Sequence, residues 1–146
     1  MKPDKPILLV EDNEDDALLM KRAMKAAGIS NRLSCVEDGQ EAIDYLGGSG
    51  KFSDRLSYPI PAFVFLDLKL PLKSGLEVLA WKRNQAALEG VVVLVLTSSS
   101  EASDLREAYK LGVNSYVVKP AATSELAEFA KAFRTYWMDF NRIPPA

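Results

Sequence analysis

Histidine is absent from this chain. That single absence removes His metal ligands, His general bases and Ser-His-Asp triads, since each needs an imidazole. Cysteine occurs once, at Cys35, so no internal disulfide forms and the chain suits a reducing compartment. A cytoplasmic protein is the expectation. No apolar run approaches membrane-spanning length, and the N-terminal MKPDKP has no apolar stretch of the kind a signal peptide carries. Lys and Arg never gather into a block and the net charge is −2, so neither direct nucleic-acid binding nor membrane attachment is expected. Nucleotide-binding glycine motifs are lacking too. GGSGK at 47–51 has Tyr45 where a P-loop needs Gly and Phe52 where it needs Ser or Thr; no G-x-G-x-x-G follows a strand-like run. The chemistry that remains belongs to carboxylates, hydroxyls and lysines.

What is present suits one domain. With 146 residues, the expectation is a single unit over 1–146 with a core at about 6–140 and a short tail, 141–146, carrying no output domain. Apolar runs at Ile7–Val10, Arg32–Val36, Ala62–Leu66, Val91–Leu96 and Ser115–Val118 alternate with helical patterns. ILLV and VVVLVL are continuous rather than alternating, which marks strands buried on both faces of a parallel sheet. Residues 14–27 put Ala17, Met20, Met24 and Ala27 on one helical face before Gly28. Asp38 and Ser74 are expected helix caps, as are Ser100 before Leu105, Ala108 and Leu111, and Thr123 or Ser124 before the stripe Leu126, Phe129, Ala130, Phe133 and Trp137. The fold class is therefore α/β, a doubly wound (βα)5 parallel sheet with right-handed crossovers. The 47–61 segment is long for a loop and reads as an insertion more readily than as a partner surface.

Charged and hydroxyl residues fall at the C-terminal ends of these runs: Glu11 and Asp12 after ILLV, Asp67 after FVFL, Thr97 and Ser98 after VVVLVL, and Lys119 after SYVV. Carboxyl ends of parallel strands share one edge, and ligands bind there. Strand order 2-1-3-4-5 would bring Glu11, Asp12 and Asp67 together, with Thr97 on one side and Lys119 one strand further. Like charges packed so closely need a proton or a cation, and all-oxygen donors suit Mg²⁺. A nucleophilic carboxylate, Mg²⁺, a hydroxyl and an ammonium together can accept a phosphoryl group, with Asp67 attacking in line.

Each residue also has a plainer explanation. Acids in EDNEDD stabilise a helix N-terminus, which accounts for Glu14, Asp15 and Asp16. Asp67 alone is as well explained as a turn residue, Thr97 and Ser98 as loop caps, Lys119 as a solvated lysine and Tyr116 as a core aromatic. Strand ends that agree on one chemistry outweigh these separate explanations.

The segments ILLVEDN, VFLDLKLPLKSG, VLTSSS and GVNSYVVKP, spaced as they are, resemble the receiver domain of two-component response regulators, the CheY-like family. The resemblance spans nearly the whole chain. It implies Asp67 as phosphoacceptor, Mg²⁺ held by Asp12, Asp67 and the backbone carbonyl of Lys69, and Glu11 reaching the metal through water. It implies Thr97 and Lys119 on the phosphoryl group, a cis Lys119–Pro120 bond, Gly75 easing the turn after the third strand, and Tyr116 as the switch aromatic. The donor would be a phosphohistidine on a sensor histidine kinase. The 47–61 loop and the tail RTYWMDFNRIPP further resemble single-domain regulators that partner phytochrome-type kinases. Lys69 departs from the Asn frequent in that subgroup; metal binding through its carbonyl is unaffected, and the dephosphorylation rate is what its side chain would alter.

The resemblance implies a signalling protein rather than a turnover enzyme, one that catalyses only its own phosphorylation and dephosphorylation. Its output would be contact with a downstream protein through the fourth helix, fifth strand and fifth helix. Trp137, Phe140 and Ile143 would add area for a homodimer on that face. The alternative is an interaction module that is never phosphorylated, against which the intact acid set speaks. A haloacid-dehalogenase-type phosphatase needs an acid where Lys69 stands. A flavin binder would set its phosphate against EDNEDD.

Overall fold

The computed structural model describes residues 6–144; residues 1–5, and with them most of MKPDKP, and residues 145–146 of the expected tail lie outside the described residues. Strands β1 (Ile7–Val10), β2 (Leu33–Val36), β3 (Phe63–Leu66), β4 (Val92–Thr97) and β5 (Ser115–Val118) form one parallel sheet in the order β2-β1-β3-β4-β5. Helices α1 (Glu14–Ala26), α2 (Gly39–Gly47), α3 (Gly75–Arg83), α4 (Ala102–Lys110) and α5 (Thr123–Phe133) connect and follow them. The expected fold is the observed one.

Side chains alternate across a strand, so a continuous apolar run feeds two cores at once. Ile7, Leu9, Phe63, Phe65, Leu94 and Leu96 face Met20 and Met24 of α1 and Phe133 of α5. Leu8, Val10, Val64, Leu66, Val93 and Val95 face Tyr45 and Leu46 of α2 and Val78 and Leu79 of α3. Each such side chain stabilises the fold by about 1.5–3 kcal/mol when fully buried. Register keeps the strand ends level: Val10 lies beside Val36 and Leu66, Leu66 beside Val95, and Thr97 beside Val118. The residue after each core run therefore emerges at one rim.

Helix starts follow local chemistry in part. Asn13 caps α1 through the Asp16 amide (3.0 Å), Asp38 caps α2 through the Glu41 amide (2.7 Å), and Ser74 with Glu77 forms a reciprocal capping box on α3. Two expected caps are different. α4 starts after Glu101 and α5 after Ala122, neither with a side-chain cap. At α4 the nearby hydroxyl that bonds is Ser99, not Ser100; it accepts from the Glu101 amide (3.3 Å) and donates to Asp104 (2.6 Å). After Phe133 the chain continues as π-helical turns over Arg134–Phe140.

One further expectation is corrected and one is met. The Lys119–Pro120 bond is trans, since no cis peptide bond occurs among the described residues. Trans is the isomer X-Pro bonds favour by about 0.5–1 kcal/mol, and Lys119 reaches its carboxylate partners from it. Gly75 eases the turn after β3, as expected, because it permits a close approach of the backbone. It opens α3, its amide donates to the Leu68 carbonyl (2.9 Å), and a Cβ there would strike the Asp67 carbonyl oxygen and the Leu68 Cα.

The 47–61 segment is stapled down. Phe52 is buried in an aromatic triad with Tyr45 (5.0 Å between ring centres) and Tyr58 (5.1 Å). The Arg55 guanidinium donates to the carbonyls of Tyr45 (2.9 Å), Leu46 (2.6 Å) and Tyr58 (3.2 Å), tying the loop to the last turn of α2. Arg55→Ala is expected to lower unfolding free energy by about 1–3 kcal/mol, measured by denaturant unfolding. A loss below about 0.5 kcal/mol would mean the loop is held by its aromatics alone.

Candidate functional site

The acids converge as the strand order requires. Oxygens of Glu11, Asp12 and Asp67 all lie within 4.8 Å of one another. Glu11 and Asp67 are buried and Asp12 is exposed, which gives the cluster one open side. At an effective dielectric of about 20, like unit charges roughly 4 Å apart repel by ~4 kcal/mol. An all-oxygen set of this kind fits a hard divalent cation, and its open side leaves room for water ligands.

Lys119 is the organic cation of the site. Its Nζ lies 2.5 Å from Glu11 Oε1, 3.0 Å from Asp16 Oδ2 and 3.2 Å from Asp67 Oδ2. Burial works against the ammonium, but hydrogen bonds with Glu11 and Asp16 and the charge of Asp67 outweigh it, so its proton is held more firmly than an ordinary lysine's. Burial raises the Glu11 carboxyl above its usual range; the Lys119 hydrogen bond and the Asn13 amide offset part of that rise. Asp67 is fixed on both oxygens: Oδ1 accepts from the Lys69 amide (3.3 Å) and Oδ2 from Lys119 (3.2 Å).

The other expected residues sit around this centre. Thr97 is fully buried at the end of β4, and its hydroxyl accepts a long bond from the Ser99 amide (3.4 Å) rather than touching the acids. Lys69 extends past the acceptor, and its ammonium pairs with Asp104 of α4 at 3.5 Å. Tyr116 is half-buried, and its hydroxyl donates to the Ser99 carbonyl (2.9 Å), two residues beyond Thr97. The Ser99 hydroxyl holds the Asp104 carboxyl below its usual range. Asp12, Lys69, Ser74 and Asp104 line one cleft at the rim.

Sequence reasoning credited Asp16 only with helix-dipole stabilisation. It does lie in the first turn of α1, and it also grips Lys119. The available signal was its position in the first turn of a helix that begins two residues after Asp12, at the same end of the sheet. Ser99 and Asp104 were not singled out either, because their roles depend on the path of the β4–α4 loop. On the tail, Phe140 and Tyr136 are exposed, whereas Trp137 and Ile143 pack on the α1/α5 core. No helix among the described residues is long and apolar enough to cross a membrane.

Residues 7–131 match the response regulator receiver domain family. The probable methanogenesis regulatory protein FilR2 of Methanothrix harundinacea is 39% identical over 138 residues, covering 94% of this chain and 86% of that protein. Response regulator Rcp1 of Synechocystis is 33% identical over 144 residues, covering 99% and 96%. A crystal structure of the Mn²⁺-bound form of response regulator Rcp1 superposes with a TM-score of 0.87 over 97% of this chain and 99% of that one. The phosphorylated cyanobacterial phytochrome response regulator RcpA superposes with a TM-score of 0.90 at 34% identity, again over 97% and 99%.

Proposed function

Because this chain belongs to the response regulator receiver domain family, we propose that it works as a phosphorylation switch with Asp67 as the acceptor. The observation that carries this reading is one buried aspartate flanked by two further acids and gripped by one lysine. An Asp67 oxygen attacks the phosphorus of a phosphohistidine on a sensor histidine kinase. The P–N bond breaks, its electron pair leaves on the imidazole nitrogen, and the product is an acyl phosphate. Lys119 follows the incoming phosphoryl oxygens, and the Thr97 hydroxyl turns from the Ser99 amide to donate to one of them. Asp12, Asp67, the Lys69 carbonyl and, through water, Glu11 would hold Mg²⁺, which when bound supplies the positive charge that lets these acids and a phosphoryl group share one site.

The chain catalyses only its own phosphorylation and dephosphorylation. The kinase is phytochrome-type, a reading supported by likeness to Rcp1 and RcpA along nearly the whole chain. On this reading the protein works in the cytoplasm, where such a kinase presents its phosphohistidine. Output runs through α4, β5 and α5 to a downstream protein or a second copy of this chain. Leu105, Tyr109 and Val118 are exposed there, and Phe140 of the tail is exposed as well. Tyr116 couples the site to that surface through its bond to the Ser99 carbonyl. A few kcal/mol of differential interaction is enough to invert such a two-state population. A pseudo-receiver that is never phosphorylated is the second reading, and the gathered acids argue against it.

The test is incubation with Mg²⁺ and a small phosphoryl donor such as phosphoramidate. An acid-stable, base-labile phosphoryl adduct is the expected result. A protein that stays unlabelled with both the donor and a phosphorylated kinase is a pseudo-receiver.

A further inference from the structure

Lys69 and Ser99 come from different loops, yet both end on one oxygen, Asp104 Oδ2, at 3.5 and 2.6 Å. Lys69 follows Asp67 by two residues on the β3–α3 loop. Ser99 follows Thr97 by two on the β4–α4 loop. Asp104 and Lys69 line one cleft with Asp12, whose carboxylate lies within 4.8 Å of the Asp67 carboxylate.

We infer that Asp104 is a positioning residue that ties the two loops across the mouth of the Asp67 site and thereby sets how long a phosphoryl group survives there. The inference rests on the phosphoacceptor reading above. Its physical basis is the inequality of the two bonds. Lys69 is two-thirds exposed, and an ion pair of that kind alone contributes little. The Asp104 side chain is only 14% exposed and accepts a short, charge-assisted bond from Ser99. So Asp104 is the fixed post, and Lys69 is drawn to it across the opening. The same Ser99 gives its carbonyl to Tyr116. A continuous chain thus runs from Lys69 through Asp104 and Ser99 to the switch tyrosine.

The step this controls is hydrolysis. A water oxygen attacks the phosphorus in line, the bond to the Asp67 oxygen breaks with its electron pair returning to the carboxylate, and inorganic phosphate departs with the water's proton released to solvent. In-line attack needs water at the mouth of the site, where Lys69 and Asp104 meet. Removing the tie opens that approach.

Asp104 is also in the first turn of α4, where an acid stabilises the helix whatever it touches. The experiment separates the two roles. The protein is phosphorylated with phosphoramidate and Mg²⁺, the donor is removed, and decay of the label is followed beside the thermal unfolding midpoint. Asp104→Ala is expected to shorten the lifetime about fivefold, equivalent to ~1 kcal/mol in the hydrolysis barrier. The double variant K69M/S99A, which keeps Asp104 in its helix, is expected to do the same. Adding D104A to K69M/S99A is expected to change nothing further. Wild-type lifetime in K69M/S99A overturns the inference even if D104A unfolds. So does an unfolding midpoint lowered in D104A with its lifetime unchanged. A wild-type protein that never takes label overturns the phosphoacceptor reading itself, which is a different failure.

Discussion

Asp67→Asn is expected to remove phosphoryl label from the protein entirely, with either a phosphorylated kinase or phosphoramidate as donor. The variant keeps the shape of the side chain and loses the nucleophile, since an amide carries no anionic oxygen to attack phosphorus. Its neighbours are poor substitutes. Glu11 is buried behind Lys119, and Asp16 is engaged by the same ammonium. Asp12 is the one exposed acid of the cluster. Label retained at the wild-type level would move the acceptor to Asp12 and undo the assignment. The variant is expected to fold, because removing one of three crowded negative charges relieves repulsion while Lys119 keeps Glu11 and Asp16 as partners.

Lys119→Met is expected to produce the largest loss of stability at the site. Glu11 and Asp67 are both buried, and their shared cation is Lys119. Taking one partner from a buried ion pair costs about 3–5 kcal/mol, because the remaining charge is left uncompensated. Asp16 adds little to that figure, since its side chain is 44% exposed and screened by water. Denaturant unfolding without divalent cation is expected to show the full loss. Repeating it with Mg²⁺ is expected to recover part, since a cation among Glu11, Asp12 and Asp67 takes over the same charge balance. Equal loss in both conditions would mean that the acids do not bind the metal in this variant.

β1, β3 and β4 were readable because their runs are apolar on both faces, as in a covered parallel sheet, whereas β2 and β5, at the sheet's edges, are less buried. Asp12, Asp67, Thr97 and Lys119 were readable because they immediately follow those runs. The reading weakened wherever a side chain's direction decided the outcome. Asp16 and Asp15 are adjacent and chemically identical in sequence; only the turn of α1 aims one of them at Lys119. Ser99 rather than Ser100 bonds Asp104 because of how the loop arrives at α4. Nothing in the sequence marks Arg55, and only the fold reveals that it caps carbonyls of α2. Trp137 reads both as part of the apolar stripe of α5 and as part of a homodimer face, and Ile143 as part of that face; both pack on the α1/α5 core, Trp137 edge-on to Phe63.

The order of the strands has a mechanical side. Asp67 directly follows β3, which has a hydrogen-bonded neighbour on each flank, whereas Tyr116 lies on β5 and Lys119 just beyond it, and among the described residues β5 borders β4 alone. A strand paired on both flanks leads to the acceptor, and a strand paired on one flank leads to Tyr116 and Lys119. On the proposed switch, charge arriving at the middle of the sheet would become displacement at its edge, and no ladder among the described strands would have to be torn for the message to leave.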